Sequence, residues 1–96
     1  MITKENITNI LITNKSQLVS KYHLKSIGIF GSFTRDDFTE NSDIDILIDY
    51  DQPLGIEFID LANELEKILN RKVDLVSRNG VKPNYFKEIQ KDLIYV

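Results

Sequence analysis

The stretch SIGIFGSFTRDDFTENSDIDILIDY, residues 26–50, decides the fold of this chain. It opens with a short apolar run over residues 26–30 that stops at a glycine, which predicts a buried strand entering a tight turn. The polar segment over residues 32–41 predicts a loop with one helical turn. Residues 43–50 predict a second strand, because apolar and polar side chains alternate along them. Two strands joined by a polar loop therefore form the centre of the predicted domain.

The second strand should place two carboxylates side by side. A strand directs alternate side chains to opposite faces, so Ile44, Ile46 and Ile48 share one face. Asp43 and Asp45 then share the other face with Leu47. Half-buried carboxylates are unfavourable unless they are paired or coordinated, and Mg²⁺ is bound by carboxylate oxygens together with substrate phosphates. A solvated strand face is the simpler explanation of an isolated Asp-x-Asp, since such tripeptides are common.

The flanking segments supply helices and one more strand. Their patterns predict a helix over residues 3–22 capped by Thr3, a helix containing Phe58 to Leu69, a strand over residues 73–76, a turn at Asn79-Gly80, a helix starting at Pro83, and a terminal strand or docking tail over residues 93–96. The order α-β-loop-β-α-β-α predicts an α/β (α+β) fold, a small mixed sheet flanked by helices.

Composition limits the class of protein. The 96 residues predict a single domain, residues 1–96, with no room for a second domain that holds a substrate. No run approaches the ~20 apolar residues that span a bilayer, so we expect neither a membrane protein nor a secreted precursor. Twelve Lys and Arg against 15 Asp and Glu give a net charge of −3 without a basic cluster. That balance argues against stable nucleic-acid binding. The chain has no cysteine, which fits a cytoplasmic location.

Four further residues complete a candidate site. Asp74 interrupts an apolar strand, so it could converge with Asp43 and Asp45 on metal ions that assist phosphoryl or nucleotidyl transfer; an edge position facing water is the alternative. Gly31-Ser32 follows a buried strand, where a glycine allows backbone N–H groups to face a phosphate chain. Arg35 could offset triphosphate charge, and a surface ion pair with the adjacent aspartates is an equally good explanation.

Together these residues resemble a known family. Gly31-Ser32, the gap to Ser42, and Asp43-Ile44-Asp45 resemble the signature of the polymerase β-type nucleotidyltransferase superfamily. The whole layout, including residues 71–76, is similar to the minimal nucleotidyltransferase (MNT) proteins, which are antitoxins paired with HEPN-domain ribonuclease toxins. The family commonly has glycine after the basic residue, where this chain has Asp36.

The resemblance implies roles for these positions. Gly31 and Ser32 would hold the ATP triphosphate, Asp43 and Asp45 would bind two Mg²⁺ ions, and Asp74 would complete the metal site near the acceptor. The implied activity is Mg²⁺-dependent transfer of AMP to a hydroxyl, foremost a tyrosine of a HEPN toxin, in a type VII-like toxin–antitoxin system. An RNA end or a small hydroxylated molecule stays open as acceptor. The alternative function is a non-catalytic antitoxin that blocks its toxin by occlusion.

Overall fold

A computed structural model describes residues 3–35 and 37–96. The elements along the chain are α1 Lys4–Tyr22, β1 Leu24–Phe30, α2 Ser32–Arg35, β2 Ile44–Tyr50, α3 Glu57–Leu69, β3 Val73–Ser77, a 3₁₀ turn Arg78–Gly80, α4 Pro83–Gln90 and β4 Ile94–Tyr95. In this part of the chain, no helix is both long and apolar enough to cross a membrane.

The four strands form one mixed sheet in the order β3-β2-β1-β4. The central strand β1 pairs antiparallel with β2 and with β4, whereas β2 pairs parallel with β3. The parallel pair is joined through α3, as a parallel connection requires a crossover. Strand β3 therefore lies at one edge of the sheet and β4 at the other.

The two faces of the sheet are covered unequally. Helices α1 and α3 pack on one face and form the main core, where Ile44, Ile46 and Ile48 are fully buried. On the other face, a smaller cluster joins Phe30 and Leu47 to Ile89 of α4. The predicted alternation along β2 is thus confirmed, and the face of Leu47 is only partly covered. The uncovered part of that face is where the acidic residues lie.

Most predicted elements are confirmed, with shifted ends. Thr3 caps α1, since its hydroxyl accepts a hydrogen bond from the Asn6 N–H at 3.1 Å. Strand β1 begins two residues earlier than predicted, and β3 extends by one residue to Ser77. The open choice at residues 93–96 is resolved as a two-residue strand that pairs with β1. The Asn79-Gly80 turn lies within the 3₁₀ turn.

One partly buried polar contact ties α1 to α3. The Tyr22 side chain is 4% exposed, and its hydroxyl donates a hydrogen bond to Glu64 Oε1 at 2.8 Å. The same oxygen accepts a hydrogen bond from Lys21 at 2.9 Å. Burial raises the pKa of the Tyr22 phenol, and the hydrogen bond to Glu64 adds to the rise.

Tyr22→Phe should lower the free energy of unfolding by about 1.5 kcal/mol, the low end for a hydrogen bond to a charged group. The ring stays, so no cavity forms, and the loss comes from the hydrogen bond alone. Urea denaturation followed by circular dichroism measures the change. Tyr95→Phe is the matched control, because Tyr95 is 57% exposed and should tolerate the substitution. Equal stability of Tyr22→Phe and the parent would contradict this prediction.

Candidate active site

The parallel pairing of β2 with β3 brings two carboxylates together. In its register Asp45 is the direct partner of Asp74, so both side chains project from the same face of the sheet. This is the face that α4 covers only in part. Asp74 lies on the edge strand and is exposed to solvent, which is the alternative that the sequence left open for this residue. It nevertheless converges on Asp45, which is half-buried.

Asp45 lies in an unfavourable electrostatic position. The pKa of its carboxyl is raised from the usual 3.8 to about 6, and burial is the largest cause. The charges of Asp74 and Asp43 add to the rise, as does a hydrogen bond with Asp74, and Arg35 opposes it. The fold therefore holds a carboxylate where negative charge is already concentrated, which is typical of a functional site.

Gly31 lies directly against this carboxylate. Its φ of +80° is one that side-chain-bearing residues rarely adopt. A Cβ atom placed on Gly31 would also overlap the Asp45 Oδ2 atom. Both the backbone conformation and the close approach therefore require glycine here. The turn after β1 and the acidic group of β2 form one local unit.

The predicted helical turn after Gly31 is present as α2, only four residues long. The Gly31 carbonyl accepts hydrogen bonds from the N–H groups of Thr34 and Arg35 at 3.1 and 3.2 Å, and from the Thr34 hydroxyl at 3.0 Å. Ser32 is the first residue of this helix, directly follows Gly31 and is partly exposed. The turn is thus well ordered by its own hydrogen bonds.

Arg35 forms a surface ion pair as well as facing the site. Its guanidinium lies 2.8 Å from Asp92 Oδ2 and 3.5 Å from Asp37 Oδ2. The pairing with Asp37 was one expected alternative, whereas Asp92 was not foreseen, since it lies 57 residues away. Arg35 also lines an open cavity of about 340 Å³ together with Gly31, Asp45 and Tyr85. Asp36 lies outside the described residues, so the effect of its replacing the family glycine stays a prediction.

Asp43 precedes β2, which begins at Ile44, and its side chain is exposed. It is close enough to Asp45 to raise the pKa of that carboxyl. The segment in front of Asp43 is held by Arg71, whose guanidinium contacts three backbone carbonyls. This contact was not foreseen from the sequence.

The three carboxylates fit a divalent cation in their chemistry. Oxygen ligands of this kind are those that Mg²⁺ prefers, and the mutual repulsion recorded in the pKa of Asp45 is what a cation relieves. Among residues 3–35 and 37–96, however, no three acidic or histidine side chains are already arranged as a set of metal ligands. The metal site therefore stays a prediction, for which the structure supplies the pairing of Asp45 with Asp74 and the nearby Asp43.

Comparison with known families agrees with this geometry. The family described as "Nucleotidyltransferase domain" matches residues 12–96. The chain belongs to the nucleotidyltransferase family. It is a nucleotidyltransferase enzyme, and the resemblance inferred from the Gly31-Ser32 and Asp43-Ile44-Asp45 motifs is confirmed. The predicted fold class is confirmed as well.

Relatives with a curated name match this nucleotidyltransferase over its whole length. A Methanocaldococcus jannaschii protein, provisionally named a protein adenylyltransferase, is 47% identical over 98 residues. The alignment covers 100% of this chain and 100% of that protein. The protein adenylyltransferase MntA of Thermococcus cleftensis is 37% identical over 97 residues, which cover 100% of this chain and 98% of that protein.

A solved structure shares the fold. The crystal structure of a toxin-antitoxin with AMP-PNP superposes with a TM-score of 0.74 at 27% identity, covering 91% of this nucleotidyltransferase and 69% of that chain. The mixed sheet and its helices therefore occur in a protein solved with a nucleotide analogue.

Gly31→Ala should destabilise the nucleotidyltransferase by at least about 1–2 kcal/mol, the usual cost of a left-handed conformation for a residue with a Cβ atom. Displacement of the Asp45 carboxylate should add to the loss and abolish activity. Thermal unfolding measures the first effect. Gly55→Ala is the matched control, since its Cβ would lie 3.5 Å from Glu57, an ordinary contact. A Gly31→Ala protein as stable as Gly55→Ala would be evidence against the contact.

Asp45→Asn should raise the melting temperature of the protein in EDTA, and more at pH 7.5 than at pH 4.5. The folded-state pKa of about 6 exceeds the usual 3.8, so the fold binds a proton more tightly than the unfolded chain. This contribution to stability is present below pH 4 and is lost as the pH rises through 6. The Asn side chain cannot ionise and avoids the loss. A difference between variant and parent that does not change with pH would rule this out.

Proposed function

We propose that this nucleotidyltransferase transfers AMP from ATP to a hydroxyl of a partner toxin, and that the acceptor is a tyrosine of a HEPN-domain toxin. The observation that carries the proposal is the pairing of Asp45 with Asp74 beside the Gly31 turn. Carboxylates opposite a glycine turn are what a metal-assisted transfer of a nucleotide needs.

The relatives support the choice of substrate and acceptor. MntA of Thermococcus cleftensis is named as a protein adenylyltransferase, an enzyme that attaches AMP to a protein. The structurally similar toxin-antitoxin was solved with AMP-PNP, an analogue of ATP. The similarity to MNT antitoxins points to HEPN toxins as the partner class.

We place the triphosphate on the β1 side of the acidic pair. Gly31 presents its backbone there without a side chain, and Ser32 begins the turn with a hydroxyl. Arg35 lines the same open cavity, although its ion pair with Asp92 already neutralises part of its charge. We assign Gly31 and Ser32 to holding the phosphates and Arg35 to a secondary contact.

Asp43, Asp45 and Asp74 would together hold two Mg²⁺ ions. When bound, these ions neutralise the phosphates and polarise the bond that breaks. The protein contributes the carboxylates and the register that keeps them together. Because the same carboxylates repel a triphosphate, ATP should bind weakly in EDTA.

The acceptor would reach the site from the β3 edge. Asp74 is the exposed member of the pair, and β3 has no neighbouring strand on its outer side within the described sheet. In the reaction, the acceptor oxygen bonds to the α-phosphorus, pyrophosphate leaves, and the hydroxyl loses its proton. We assign Asp74 to orienting that hydroxyl and accepting its proton. The acceptor comes from outside, because we take the whole chain as a single domain.

Asp74→Asn should keep nucleotide binding and lose transfer. The substitution preserves size but removes the charge and basicity that act on the acceptor, so AMP transfer should fall by at least about 100-fold. Calorimetry measures Mg²⁺-ATP binding, and mass spectrometry of the partner toxin measures attached AMP. Asp43→Ala and Asp45→Ala should each abolish transfer while leaving the fold intact.

Asp60→Asn is the matched control, since this exposed aspartate lies on α3, on the opposite face of the sheet, and should transfer AMP like the parent. If Asp74→Asn protected cells from the toxin as fully as the parent, protection would not depend on AMP transfer. That result would favour neutralisation by occlusion over the proposed enzyme.

A further inference from the structure

The Arg71 side chain is fixed to the segment that leads into Asp43. Its Nη2 atom donates hydrogen bonds to the backbone carbonyls of Thr39, Glu40 and Ser42 at 3.2, 2.6 and 3.0 Å. These three carbonyls belong to four consecutive residues of a loop that lies directly before Asp43. One side chain therefore binds the backbone at three of the last four residues of the loop.

The backbone on both sides of Arg71 is held in place. Arg71 follows Asn70, which ends α3 in a left-handed conformation with φ of 54°. It is followed by Lys72, whose carbonyl accepts a hydrogen bond from the Ile44 N–H at 2.9 Å. The backbone around Arg71 is thus fixed by a helix on one side and by the start of the β2–β3 ladder on the other.

A second contact extends from Arg71 towards the glycine turn. The guanidinium carbon lies 4.7 Å from the centre of the Phe38 ring, a cation–π distance. Phe38 meets Phe33 edge to face, with ring centres 4.8 Å apart. Phe33 is 2% exposed and directly follows Ser32. The packing of Phe38 on Phe33 therefore links Arg71 to the turn that contains Ser32.

Asp43 needs such support because it lies outside the ladder. In the described part of the chain no donor forms a hydrogen bond with its carboxylate, and apart from the bonds from Arg71 the hydrogen bonds of residues 39–42 are made within that segment. Among them are those from the Ser42 N–H to the Thr39 carbonyl at 3.0 Å and from the Thr39 N–H to the Ser42 hydroxyl at 3.1 Å. Such a loop would move freely without an anchor elsewhere in the fold.

We propose that Arg71 is a positioning residue that holds the loop over residues 39–42 so that Asp43 stays within reach of Asp45 and Asp74. The inference rests on the proposed function, in which these carboxylates hold Mg²⁺. Arginine suits the role because its planar guanidinium can donate to several carbonyls while one face lies on a ring. Lysine keeps the charge but offers a flexible point donor, so Arg71→Lys separates geometry from charge.

The test compares Arg71→Lys, Arg71→Ala and the parent by hydrogen exchange of the backbone amides of residues 39–43, without metal or nucleotide. Both variants should exchange faster in this segment, with α1 and β1 unchanged. Calorimetric titration with Mg²⁺ alone should show affinity reduced on the order of 10- to 100-fold, as for other residues that orient metal ligands. Arg78→Lys is the matched control, since the Arg78 guanidinium lies 3.6 Å from the Phe86 ring centre and outside this loop.

Parent-like exchange and Mg²⁺ affinity in Arg71→Lys would overturn the proposal, as would faster exchange throughout the chain, which indicates general destabilisation. In the transfer assay, Arg71→Lys should lose activity at low Mg²⁺ and regain it at high Mg²⁺. Lack of transfer or of Mg²⁺ binding by the parent would count against the proposed function. The exchange measurement would still decide the role of Arg71.

Discussion

The site depends on the parallel register between β2 and β3, which sets Asp45 beside Asp74. That register is fixed by apolar residues, since Ile44, Ile46 and Ile48 must face the core under α1 and α3. A slip of one residue would turn the aspartates into the core and the isoleucines to the outside. The free energy of burying the isoleucines thus outweighs the repulsion between the carboxylates. Hydrophobic packing on one face holds the charges together on the other.

The sequence predicted those features that depend on local periodicity. The alternation along residues 43–50 placed Asp43 and Asp45 on the face opposite the isoleucines, and the apolar run around Asp74 indicated a third carboxylate in the same sheet. The turn at Gly31 was also foreseen, but not its contact with Asp45, because nothing local reports a distance between residues 14 positions apart. The partners of Arg71 and Arg35 were missed for the same reason, as they lie about 30 and 57 residues away.

The acidic residues differ in how firmly the fold holds them. Asp45 is fixed within a strand and pressed against Gly31, and Asp74 is fixed by the ladder but open to solvent. Asp43 lies before the strand, where its position follows from the loop that leads to it. Asp45 is therefore the most firmly held of the three carboxylates, and Asp74 is the most accessible one that the ladder still fixes.

Because the two faces of the sheet are covered unequally, substitutions on the two faces have different effects. Substitutions under α1 and α3 act on the stability of the domain, whereas the exposed positions of α4 and of the Asp74 face of β3 lie outside that core. A duplicated gene can therefore vary the exposed rim without losing the fold that aligns the carboxylates. The architecture permits a lineage of such enzymes to diverge in target while the chemistry stays constant.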